Sequence, residues 1–324
     1  MSQTADWRPS AALPALRLRA ELLSATRAFF AARGVLEVDT PALVRHAVTD
    51  VHIDCASVQL PGHGAPLYLH SSPEYAMKRL LAAGSGDIYQ IAHVFRGNEV
   101  SPLHNPEFTL IEWYRCGFTL RALMAEVGEL ASQLLALPSA APVQYCSYAQ
   151  LFEREVGLDP LCASDAALRA LAITHRLDAP VAQRCTRDEL LDWFMGSVIG
   201  PRLGGDGLCF VHHYPASQAA LARLDPQDPL VALRFELYAH GIELANGFEE
   251  LADAAQQRSR FELDRRERSR RALGAPAIDE ALLSALSAGL PSVSGVALGF
   301  DRLLMLRLGA AHIGQVLPFA FDRA

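Results

Sequence analysis

The chain has 324 residues, 51% of them hydrophobic, and a formal net charge of −7. That apolar share supplies core for one large domain or two smaller ones, and the acidic balance argues against a protein whose main task is coating nucleic acid. No apolar run approaches the ~20 residues that span a membrane, and the N-terminal MSQTADWRPSAALPALRLRA lacks a continuous apolar signal segment, so a cytoplasmic enzyme is expected.

In chain order, Leu18, Leu22, Ala25 and Phe29 recur at helical spacing, with Arg17 and Glu21 on the polar side and Gly34 at the end. VLEVDTP reads as a short strand closed by Pro41. PGHGAP is a turn and Leu67–Leu69 a strand. SSPEYAMKRLLAAG is a loop entering a helix, with Ser71 or Ser72 as cap and Pro73 as an early helical residue. IYQIAHVF and FTLIEWY are strands flanking a polar loop. A helix from Thr119 presents Leu120, Leu123, Met124, Val127, Leu130, Ala131 and Leu134 on one face, and Pro138 stops it. Residues 139–228 read as a less regular insertion of small helices and loops, containing the strand LCFVHHY, whose His212 and His213 would point to opposite faces. LVALRFELYAHGIELANGF is two strands around a turn at His240–Gly241. DAAQQRSRFELDRRERSRRALG is a polar helix with Asp253 and Gln256 at its start and Gly274 at its end. VSGVALG is a strand running into the helix FDRLLMLRL. Helices and strands mix without βαβ alternation, so the fold class is α+β with a mainly antiparallel sheet.

The six cysteines form no CxxC, which indicates neither a zinc site nor a redox pair. Lys78 is the only lysine, no glycine loop precedes it, and no GxxxxGK[ST], GxSxG or HExxH occurs. Three segments concentrate polar groups. FRGNEVSPLHNPEFTLIEWYR joins two strands through Arg96, Asn98, Glu99, His104, Asn105 and Glu107. Phe108, Leu110, Glu112 and Tyr114 share strand parity. An arginine beside an aromatic face suits a nucleotide, and the alternative is an exposed hairpin with a polar tip. In GVALGFDRLLML, strand glycines imply close approach to the backbone. Arg302 in the first helical turn calls for an anion, either a phosphate or Asp301. In GIELANGFEEL, Glu243 and Glu250 flank either Mg²⁺ on a triphosphate or a substrate ammonium, with Glu236, Glu249 and Asp253 read as solvated or salt-bridged. Glu74 in SSPEY is either a ligand or a helix-dipole partner.

Together these segments resemble class II aminoacyl-tRNA synthetases: FRGNE…HNPEFTLIEWY is similar to motif 2, GVALGFDRLLML to motif 3, and the helix ending at Gly34 with VLEVDTPAL to motif 1, a dimer element. SSPEY, HNPEF and ELANGF are of the lysyl type. The resemblance covers residues 16–324, leaving 1–15 as an extension with no room for an anticodon-reading domain. It therefore implies a stand-alone lysyl-type ligase, a homodimer without anticodon recognition. Its implied substrates are ATP with Mg²⁺, (R)-β-lysine or lysine, and a lysine of translation elongation factor P. Carried over residue by residue, Arg96 and Arg302 are catalytic. Arg96, Gly97, Asn98, His104, Asn105, Phe108, Glu243, Leu244, Gly299 and Arg302 take ATP, with Phe108 stacking on adenine. Ser72, Pro73, Glu74, Tyr114, Asn246, Glu250 and Ala297 take the amino acid, and Glu243 and Glu250 take the metal. Asn98 stands where the family has Glu, and Ala297 where the lysyl type has Gly. The alternatives are a truncated tRNA-lysylating synthetase and a non-catalytic lysine sensor. The Arg258–Arg271 helix is either a dock for an acidic protein or a solvated helix with Glu262–Arg266 and Glu267–Arg271 pairs.

Overall fold

A computed structural model of the chain describes residues 7–62, 64–97 and 99–324, so Asn98 lies outside the described residues. In chain order the main elements are α1 (Leu13–Ala31), β1 (Leu36–Glu37), β2 (Leu43–Val44), β3 (Ser57–Val58), β4 (Leu67–Leu69), α2 (Glu74–Ala82), β5 (Ile88–Phe95) and β6 (Glu107–Cys116). There follow α3 (Leu120–Leu135), β7 (Val143–Ser147), α4 (Tyr148–Val156), α5 (Asp165–Thr174), α6 (Ala179–Arg184), α7 (Arg187–Phe194), β8 (Leu208–Pro215), β9 (Val231–Ala239) and β10 (Ile242–Glu249). The chain closes with α8 (Ala254–Arg270), α9 (Glu280–Gly289), β11 (Val293–Gly299) and α10 (Phe300–Leu308). Among the described residues no helix is long and apolar enough to cross a membrane. Two compact units divide the chain: Met1–Phe118 with Gln133–Ala136 and Leu251–Ala324, and Thr119–Ser132 with Leu137–Glu250.

In the first unit the strands run in the order β1-β5-β6-β11, antiparallel except for the parallel β1–β5 pair, beside a small β2-β4-β3 sheet. One face of β5 and β6 is core. Phe30 of α1 stacks on Tyr89 at 4.3 Å and meets Trp113 edge-on at 5.3 Å. The buried stripe of α1 is Ala15, Leu22, Thr26, Phe29 and Phe30, so Leu18 and Ala25 lie only at its margin. Thr26 tolerates burial because its hydroxyl donates to the Leu22 carbonyl. Gly34, at φ 67°, turns the chain after the helix as expected. Ser10 and Ala11 donate backbone bonds to Pro318 and Leu317, tying both ends of the chain into this unit.

Two helix ends differ from expectation. Pro73 is the N-cap of α2 rather than a helical residue, and Ser72 Oγ accepts from Glu74 N. Asp253 caps α8 by accepting from Gln256 N, but the helix stops at Arg270. Gly274 lies beyond it and offers its carbonyl to Arg268. Arg268 is buried and also binds the carbonyls of Asp50 and Ile53 and the Asp54 carboxylate, so it holds a loop in place. Both expected pairs, Glu262–Arg266 and Glu267–Arg271, are present on this helix.

The second unit has strand order β10-β9-β8-β7, with only β7–β8 parallel. The expected insertion supplies α4, α5, α6 and α7, and Tyr148, Phe152, Leu168 and Phe194 pack with Cys209, Val211, Tyr214 and Tyr238 of β8 and β9. His240 and Gly241 turn the β9–β10 hairpin with φ of 47° and 74°. A Cβ on Gly241 would meet the Pro201 carbonyl at 2.7 Å, so glycine is required there twice over.

His212 and His213 do not point apart. A bulge between His212 and Tyr214, with His213 at φ 58°, turns the rings together at 2.5 Å between Nδ1 atoms. Burial, then the neighbouring His213 and Arg121, push the His212 pKa down to about 4. The unfolded chain takes this proton near 6.5 and the folded chain only near 4, so stability is fully present above 6.5 and falls as pH drops through that window. Melting temperatures measured across this range should flatten in His212→Gln.

Candidate active site

The second face of the first unit's sheet is polar at its centre. Register places Gln90, Glu112 and Ala297 in one row, Ala92, Leu110 and Gly299 in the next, and Val94 beside Phe108. With Gly295 opposite Tyr114, strand β11 contributes Gly, Ala and Gly to this face, a floor almost without side chains.

Glu112 is the hub of this face. It is 2% exposed, yet both carboxylate oxygens are satisfied: Tyr114 donates to Oε1 at 2.8 Å and Ser72 to Oε2 at 2.7 Å. Ser72 Oγ in turn accepts from Glu74 N at 3.0 Å, and Lys78 donates to Glu74 Oε1 at 2.6 Å. Of the residues expected to take the amino acid, Ser72 and Tyr114 bind this carboxylate directly, Glu74 joins through its backbone N–H to Ser72, and Ala297 is its register partner on β11; sequence reading counted Glu112 only for its strand parity. The signal was present: a buried-strand glutamate two residues before a tyrosine on the same face.

At the end of β5, the Arg96 guanidinium lies over the Phe108 ring at 5.1 Å, and its buried Nε has no hydrogen-bond partner. A desolvated donor of fixed positive charge without an acceptor is the arrangement expected where an anion binds. In this state Phe108 presents its ring to Arg96. Gly97 donates to the Asp54 carbonyl at 2.7 Å, and a Cβ there would lie 3.3 Å from the same oxygen.

Arg302, in the first turn of α10, reaches His104, with 2.6 Å between Nη2 and Nε2, while His104 Nδ1 is 2.7 Å from Ser101 Oγ. The arginine donates, so the neutral imidazole accepts at Nε2 and donates from Nδ1. Burial and the Arg302 charge lower the His104 pKa, in keeping with a neutral ring. Asp301 is not the partner of Arg302: it binds Arg19 and the Thr109 backbone N–H. The Asn105 side chain is committed locally, donating to the Glu107 carbonyl and accepting from Phe321 N.

In the second unit a bulge between Glu243 and Ala245 inverts strand parity at Leu244. Glu243, Asn246, Phe248 and Glu250 therefore share a face, with Tyr238, Glu236 and Arg234 opposite the first three. Buried Glu236 is bound by Arg234 at 2.5 Å and Tyr238 at 2.6 Å, and Arg234 Nε donates to Asn246 Oδ1 at 3.2 Å. Glu249 pairs with Arg223.

Glu243 and Glu250, the two carboxylates expected to take the metal, lie on this common face, Glu250 directly after the end of β10. No cluster of three or more His, Cys, Asp or Glu suited to a metal occurs among the described residues. Two carboxylates fit an ion such as Mg²⁺, which takes one or two carboxylates and completes its shell with water and substrate phosphates.

Comparison with known proteins identifies the family. The family model described as tRNA synthetases class II (D, K and N) matches residues 2–323. The chain is 48% identical to the elongation factor P–(R)-beta-lysine ligase of Klebsiella pneumoniae subsp. pneumoniae, and 47% and 48% identical to proteins of that name from Salmonella dublin and Enterobacter sp., in each case over 100% of both chains. The chain belongs to the class II tRNA synthetase family of the D, K and N type, within the group that contains the elongation factor P–(R)-beta-lysine ligases.

Proposed function

We propose that the chain activates (R)-β-lysine with ATP and transfers it to a lysine side chain of translation elongation factor P. The observation that carries the nucleotide half of this reading is the orphaned Nε of Arg96, buried against Phe108. In the first step a carboxylate oxygen of the amino acid bonds to the α-phosphorus and pyrophosphate leaves. Both reactants are anions, so charge neutralisation and alignment are the main requirements. Arg96 bridges carboxylate and α-phosphate. Arg302 exchanges its contact with His104 for the terminal phosphate, and the glycines of β11 let the nucleotide approach the backbone. Glu243 and Glu250 would hold Mg²⁺, which would supply charge neutralisation for the phosphates. Glu74, Tyr114 and Glu112, which lie in one unit, orient an ammonium group of the amino acid. In the second step the neutral ε-amine of the acceptor lysine bonds to the acyl carbon, AMP leaves, and the amine loses a proton.

The test is incubation with ATP, Mg²⁺ and either α- or β-lysine, offering elongation factor P or tRNA. Mass spectrometry should find the factor heavier by one β-lysyl group. A labelled tRNA with an unmodified factor would favour a tRNA-charging enzyme, and ligand binding with neither product a lysine sensor.

Ala297 is paired with Glu112 and packs with Ala92, Val94, Leu110 and Phe108. Its methyl limits room beside the Glu112 carboxylate. Ala297→Gly is expected to shift the kcat/KM ratio towards α-lysine by ~10–200-fold, the range that one methyl commands in a snug pocket. Parallel pyrophosphate-exchange assays with both isomers check this.

A further inference from the structure

One lysine stands among 29 basic residues, all the others arginine. Wherever a long cation on a solvated surface would serve, this chain carries arginine. Lysine differs in offering a compact ammonium on a flexible stem, without the planar fork of arginine. Position 78 is where that difference counts. The Lys78 side chain is 2% exposed, and its Nζ lies 2.6 Å from Glu74 Oε1, one helical turn back in α2.

Helix stability does not explain this pair. Exposed i,i+4 pairs contribute little, and a buried pair is often no better than well-packed apolar residues of the same volume. What the pair does is fix a carboxylate. Glu74 is the first residue of α2, and its N–H goes to Ser72 Oγ, which donates onward to Glu112, which also receives Tyr114. Lys78 therefore sets the orientation of Glu74 at one end of a continuous hydrogen-bonded run on the face that carries Ala297.

We infer that Lys78 is a positioning residue for amino-acid recognition. It holds Glu74 Oε1 and thereby turns Oε2 towards an ammonium group of a diamino acid. This inference rests on the reading, given above, that Glu74 receives such a group.

The experiment compares Lys78→Met and Lys78→Arg with wild type in amino-acid-dependent ATP–pyrophosphate exchange, varying (R)-β-lysine and ATP separately. Lys78→Met should raise KM for the amino acid about tenfold or more with KM for ATP within about twofold, and Lys78→Arg should recover part of the loss. Calorimetric titration with (R)-β-lysine alone should weaken in the same order. A merely structural role would instead lower the melting temperature and move both KM values together. An amino-acid KM within about twofold of wild type in Lys78→Met overturns the inference. Should that variant not fold, Lys78→Gln takes its place under the same criteria. A wild-type protein without amino-acid-dependent exchange would sink the functional reading and this inference together, whereas active wild type with an unaltered Lys78→Met sinks only the latter.

Discussion

Replacing Arg96 with alanine is expected to lower kcat/KM for amino-acid-dependent ATP–pyrophosphate exchange by about 100- to 1,000-fold, or ~2.7–4 kcal/mol of transition-state stabilisation. The guanidinium is pre-positioned over Phe108 with its Nε already stripped of water and unbonded, so binding an anion there costs little reorganisation. Arg96→Lys should recover little, because a point charge cannot bridge two oxygen groups as a planar fork does. Melting temperature should be nearly unchanged, since no bond within the protein is lost at Nε. If Arg96→Ala exchanged pyrophosphate at the wild-type rate, the nucleotide site would have to lie elsewhere.

Asp301→Ala is the second large effect, and it acts on folding. Asp301 is 2% exposed and binds Arg19 of α1 at 2.5 Å and the Thr109 N–H of β6 at 2.6 Å, while Arg19 also reaches the Thr109 hydroxyl at 2.6 Å. One carboxylate therefore ties α10, α1 and β6 together immediately beside Arg302. Removing it leaves a largely buried guanidinium and a buried N–H uncompensated, at a cost of ~3–5 kcal/mol. Urea denaturation should show this loss. The double change Arg19→Met with Asp301→Leu should be milder than Asp301→Ala, because no charge is then stranded. A single variant as stable as wild type would mean that this network contributes only orientation.

Much of the site was legible because strands have period two and motifs carry fixed chemistry. The parity of Phe108, Leu110, Glu112 and Tyr114 identified the polar face of β6, and the glycines of VSGVALG identified its floor. What escaped were departures from regularity. A bulge has no mark in a period-two pattern, so neither the parity change at Leu244 nor the meeting of His212 with His213 was readable, and strict alternation would have set Glu243 and Glu250 on opposite faces. Glu112 was visible on the correct face but not as a hub, since its partner Ser72 is 40 residues away and reaches it only through tertiary packing. Asp301 sat beside Arg302 in sequence and was offered as its counter-ion, but consecutive helical residues point about 100° apart. That rotation sends one to Arg19 and the other to His104.

The solitary lysine has a chemical corollary. Activated acyl groups couple to primary amines that are neutral and accessible. On this chain the single side-chain amine is sealed inside α2 against a carboxylate, and guanidinium groups, which stay protonated, clothe the exterior. Amine-directed reagents such as N-hydroxysuccinimide esters will therefore find no exposed side-chain amine among the described residues, and an acyl-adenylate escaping into solution would meet the same inert coat.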